Sequence, residues 1–60
     1  MPNLNQSEFN SIREVASCHI TTAMKLEEYA SKCNDPQIRQ MFTQSANDAR
    51  RGAHQLTNML

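Results

Sequence analysis

Cys33-Asn34-Asp35-Pro36 decides the fold, because it holds the one strong breaker inside a chain otherwise patterned for helix. Asn34 can take the left-handed conformation that closes a helix. Asp35 suits an N-cap, where a side-chain oxygen accepts from the first free backbone N–H groups. Pro36 suits the first helical position, where its missing N–H is no loss. One helix therefore ends and another begins across residues 34–35. So short a connection makes the two helices antiparallel neighbours.

Working outward, helix 1 is expected over about residues 6–33 and helix 2 over about 36–60, forming one hairpin domain behind a flexible leader at 1–5 that contains Pro2. Helix 1 should start near Gln6 or Ser7, and Ser7 has no glutamate three residues on, so no capping box is expected. From there Phe9, Ile12, Ala16, His19, Ala23, Leu26, Ala30 and Cys33 recur at spacings of three and four, which is one helical face, widened by Val15, Ile20 and Tyr29. Glu28 and Lys32 make a favourable i,i+4 pair on the opposite side. The stripe of helix 2 reads Ile38, Phe42, Ser45, Ala49, Ala53, Leu56 and Leu60, with Arg50 among the residues expected to face water. No period-2 run suggests a strand, and there is no internal repeat.

Sixty residues bury little, and below roughly 70–80 residues one core seldom supplies more than about 3–5 kcal/mol. Two helices alone would leave much of Leu26, Ile38, Phe42 and Leu56 wet, whereas pairing two hairpins about a two-fold axis covers them. The expected fold is thus all-α, an antiparallel two-helix hairpin that dimerises into a four-helix bundle. Its dimer and core interface is drawn from Phe9, Ile12, Ala16, His19, Ala23, Leu26, Ala30, Ile38, Phe42, Ala49, Ala53 and Leu56.

Six basic and six acidic residues give a formal charge of zero, which speaks against nucleic acid as the main partner. No segment resembles a signal peptide or approaches the roughly 20 apolar residues of a membrane span. The expectation is a cytoplasmic protein whose partner is a second copy of itself. Cys18 and Cys33 lie fifteen residues apart on helix 1, about 22 Å along its axis, too far to bridge each other. They read as reduced thiols, with an intermolecular bridge as the alternative.

His19 lies on the apolar face. Its ordinary reading is a core-edge imidazole bonded to a helix carbonyl or to a group such as Ser45. The sharper reading is a metal site built from His19 and Glu27 of both subunits, but one histidine and one marginal acid per chain are too few convergent ligands. Glu27 otherwise reads as a flanking side chain with its carboxylate in water, His54 as a surface residue near a helix C-terminus, and Cys18 as an unactivated mid-helix thiol. Met1, Met24, Met41 and Met59 form no cluster. No nucleophile elbow, phosphate loop, Cys-x-x-Cys or His-Glu-x-x-His occurs, so neither catalysis nor a cofactor is expected.

Three stretches, Lys25-Leu26-Glu27-Glu28-Tyr29-Ala30, Asn34-Asp35-Pro36-Gln37-Ile38-Arg39-Gln40-Met41-Phe42 and His54-Gln55-Leu56-Thr57-Asn58-Met59-Leu60, resemble the spore coat protein F family. That family is a ferritin-like branch of helical bundles found in spore-forming bacteria. The resemblance runs from about Ile12 to Leu60 and implies a ferritin-like four-helix bundle, a structural role in sporulation, a place in the spore coat and other coat proteins as partners. Family members are usually longer, so this chain would supply half a bundle. The di-iron ligands of ferritin-like proteins do not carry over. With His54 as the family histidine, the acid position is Arg51; in the phase of the core, acid and histidine become Ala49 and Gly52; on helix 1 the glutamate position is Thr22.

Overall fold

The computed structural model describes residues 4–60. Met1 to Asn3, including Pro2 of the expected leader, lie outside the described residues. The chain forms two helices, α1 (Gln6–Lys32) and α2 (Pro36–Thr57), packed side by side as an antiparallel hairpin.

Asn5 is the N-cap of α1, and the helix does begin with a capping box. The Glu8 backbone N–H donates to Asn5 Oδ1 at 2.7 Å, and the Asn5 N–H donates to Glu8 Oε1 at 3.1 Å. The cap is asparagine, two residues upstream of Ser7. At the turn, Asp35 caps α2 as expected, its Oδ1 accepting from Gln37 N at 2.9 Å and Ile38 N at 3.4 Å, with Pro36 at the first helical position. Asn34 is not left-handed: no described non-glycine residue has positive φ. Cys33 leaves α1 in extended conformation (φ −88°, ψ 132°), and Asp35 is extended too, as a residue preceding proline prefers. The Cys33 carbonyl is satisfied from across the turn by Arg39, whose Nη2 and Nε donate to it at 2.7 and 3.1 Å. Helix α2 stops at Thr57, short of the chain end, and Asn58 to Leu60 close in turns on the carbonyls of His54, Leu56 and Thr57.

The seam between the helices is built from alanine. Ala16, Ala23 and Ala30 recur every seventh residue on α1, and Ala46 and Ala53 do so on α2; all five are at most 7% exposed. Ala23 stands eleven residues before Asn34 and Ala46 eleven after Asp35, and Ala16 and Ala53 match in the same way, so the two alanine rows face each other. A strict seven-residue repeat is the signature of a coiled-coil seam, and methyl side chains let the backbones approach closely. The helix-2 stripe is thereby shifted: Ala46 is buried and Ser45 is exposed.

A seam of methyl groups covers little else. No large side chain among the described residues is fully buried. The radius of gyration is 14.2 Å, against about 10 Å for a compact chain of this length. The hairpin is a rod, and most of its bulky apolar groups lie outside the seam.

Candidate functional site

The two flanks of the seam differ in chemistry, and cross-helix contacts identify each. On one flank Glu27 and Arg50 meet: Arg50 Nη2 and Nε donate to the Glu27 carboxylate at 2.6 and 3.4 Å. The guanidinium hydrogen bond and charge hold the Glu27 carboxyl below the usual carboxylate range and raise Arg50 in turn. Arg50, expected in water, is thus half-buried, and the Glu27 carboxylate has a protein partner. Both side chains remain roughly half exposed, so the pair closes the flank without a dry core beneath it.

On the other flank Tyr29 and Phe42 pack with ring centroids 5.9 Å apart at 55°, within the favoured range for tilted aromatic pairs. Helical spacing puts Ile12, Val15 and Leu26 on the same side of α1, and Ile38 and Leu56 on the same side of α2, with Met59 in the turn beyond it. These side chains stay wet: Val15 is 45% exposed, Tyr29 50%, Ile38 44% and Met59 43%, while Ile12, Leu26, Phe42 and Leu56 are half-buried. The bulk gathers at the two ends. Between them lies a shallow depression of about 450 Å³ lined by Cys18, His19, Thr22, Asp48 and Ala49.

His19 sits in that depression, at the midpoint of α1. Its Nδ1 lies 2.9 Å from the Val15 carbonyl; a carbonyl only accepts, so Nδ1 carries the proton there. The helix carbonyl, not Ser45, is its partner. The ring packs on α2 where Gly52 has no side chain: a Cβ at Gly52 would fall 2.9 Å from His19 Cδ2 and 3.3 Å from Nε2. Glycine inside a helix costs about 1 kcal/mol relative to alanine. Here it makes room for the imidazole.

Ala16, Ala23, Ala30 and Ala53 form the seam; Phe9, Ile12, His19, Leu26, Phe42, Ala49 and Leu56 are half-buried beside it; Ile38 points outward in the single hairpin. Ala46, outside the stripe expected for helix 2, is 1% exposed. Phe9 carries Arg13 over its ring at 5.8 Å. The expected Glu28–Lys32 pair is formed at 2.9 Å.

His19 and Glu27 are not brought together. Eight residues separate them, about 12 Å along the axis, and Glu27 faces the flank where Arg50 holds it. No group of three or more His, Cys, Asp or Glu among the described residues could hold a metal ion. Cys18 is exposed and Cys33 half-buried, both as free thiols. His54 is exposed in the last turn of α2. No helix among the described residues is long and apolar enough to cross a membrane.

No protein-family model, curated protein or solved structure matches the chain. The stretch that carries the resemblance to coat F proteins is accounted for locally. Asp35 caps α2, Pro36 opens it, Arg39 closes α1 and Phe42 packs on Tyr29.

Proposed function

We propose that this is a non-enzymatic assembly protein that works as a homodimeric four-helix bundle, two hairpins laying their apolar flanks together. The observation that carries the reading is the flank of half-exposed aromatic and aliphatic side chains beside a core made only of alanine. Area supports a second copy as the occupant. The chain exposes 4649 Å², whereas a compact monomer of 6.8 kDa would expose about 4000 Å². The excess is close to the ~800 Å² that each partner hides in an interface of standard size. The two halves of a two-fold interface are the same surface, so a flank with bulk at both ends and a dip at its centre can meet its own copy.

The resemblance to coat F proteins is the support for a setting in the sporulating cell, in the cytoplasm or the spore coat, with other coat proteins meeting the outer faces of the bundle. A metal- or ligand-binding bundle using His19 and Glu27 of both subunits gains nothing from the geometry, because Arg50 holds the Glu27 carboxylate on the opposite flank.

Sedimentation equilibrium on reduced protein at neutral pH, with far-UV circular dichroism of the same samples, tests the reading. A helical dimer at micromolar concentration is expected. A fully helical monomer up to millimolar concentration would overturn it, and a largely unfolded monomer would replace it with a hairpin that completes a larger partner.

A further inference from the structure

His19 is the one histidine of the uncovered flank, and histidine is the side-chain type that changes charge near neutral pH. It also occupies a special place on that flank. As the fourteenth of the 27 residues of α1 it marks the middle of the rod. In a bundle of two hairpins set side by side without stagger, whether the two-fold axis runs along the bundle or across it, the middle of one hairpin meets the middle of the other. Both imidazoles therefore share the central layer of the bundle in either arrangement. Around the ring stand Cys18, Thr22, Asp48 and Ala49, with Gly52 against its edge.

We propose that the two His19 side chains make the association acid-sensitive, so that the assembly is held together at neutral pH and released as the pH falls toward 5. The inference rests on the self-association proposed above.

The chemistry follows from the ring's contacts. Neutral His19 donates from Nδ1 to Val15 and keeps Nε2 as an acceptor, which a hydroxyl or a water in the central layer can satisfy. Protonation turns Nε2 into a second donor and places one positive charge per subunit beneath an apolar cover, where an unpaired charge is costly. The groups able to answer that charge are few. The one charged group of α2 that lines the depression is Asp48; its Oδ1 takes Gln44 Nε2 at 3.2 Å and lies 3.5 Å from Arg51 Nη1, whose positive charge offsets its own. From α1 the neighbouring groups are the Cys18 thiol and the Thr22 hydroxyl. In the separated hairpin the ring is half exposed and water solvates the cation. The sign is then fixed: the dimer favours the neutral imidazole, so its stability is full above the titration range of a solvated histidine and declines as pH falls through it.

Sedimentation equilibrium of the wild-type chain, His19→Asn and His54→Gln at pH 7.5 and 5.5 tests the proposal, with helicity recorded alongside. The wild type and His54→Gln are expected to weaken by at least tenfold in dimer affinity at pH 5.5, and His19→Asn to change by less than threefold. Equal weakening of His19→Asn, or no weakening of the wild type, would overturn the inference while leaving self-association in place. A wild-type monomer at both pH values would instead remove the association beneath it. Should His19→Asn fail to associate at all, calorimetric dilution of the wild type at pH 6 in two buffers of different ionisation enthalpy decides. Proton uptake on dissociation is expected, and its absence would overturn the proposal.

Discussion

The two flanks of one seam separate two jobs that a small core usually has to combine. The Glu27–Arg50 flank is finished within the chain: two long charged side chains bridge the helices and leave their ends in water. The Tyr29–Phe42 flank is unfinished, with rings and aliphatic groups that the chain itself covers only by half. The alanine rows between them fix the approach of the helices and contribute little apolar area of their own. At about 25 cal/mol per Å², the bulky flank holds most of the stabilisation that covering by a partner would add.

Changes at the seam should break both flanks together and have the largest effect. Ala23, fully buried, faces the Ala46 row with no room for a longer side chain. Ala23→Leu is expected to cost about 3 kcal/mol by overpacking, lowering Tm by more than ~10 °C in a thermal melt. Next come charges that separate one flank from the other. Leu26→Glu should weaken the dimer at least ~100-fold in sedimentation, because a carboxylate would be trapped in the covered layer. Met24→Glu, on an exposed position of the same helix away from that flank, should change affinity by less than ~0.5 kcal/mol. Equal effects of the two would erase the distinction between the flanks.

A smaller effect is expected where the apolar flank is tuned to one ring. Gly52→Ala should destabilise by about 1 kcal/mol, because its Cβ would press on His19, bonded in place to Val15. In a His19→Ala background the same change should become stabilising, through the better helix propensity of alanine. That reversal is read as a double-mutant cycle in urea denaturation. Smallest of all, Glu27→Gln should move Tm only slightly, and less so in high salt, since the pair is solvent-exposed. Because Arg50 holds the Glu27 carboxyl below its ordinary range, the pair's contribution is present above about pH 4 and fades as the carboxylate is protonated. An acid melt of wild type against Glu27→Gln should therefore converge at low pH.

Much of this was legible in the residues. Asp35-Pro36 specified the turn because cap chemistry and ring geometry act locally, and the three-four spacing on α1 marked the inward face, including its three buried alanines. Helix 2 was harder for a physical reason. From Phe42, steps of three and four reach Ser45 and Ala46, both on the same side of the helix, and bulk weighs more than size-matching in an apolar pattern. Close backbone approach selects the methyl group, and Ala46 is the residue buried. The capping box escaped because its donor and acceptor are Asn5 and Glu8 rather than a pair starting at Ser7. Arg50 and Arg39 find their partners, Glu27 and the Cys33 carbonyl, only once the register of the two helices is known. The same holds for the match of His19 to Gly52, which no local pattern announces.

The most direct measurement is isotope-filtered NMR on a mixture of ¹³C-labelled and unlabelled chains. Intermolecular contacts are expected from the methyl groups of Val15, Leu26, Ile38 and Leu56, with none from Ile20 or Met24. Intermolecular contacts confined to Ile20 and Met24, or none at millimolar concentration, would contradict self-association through the Tyr29–Phe42 flank.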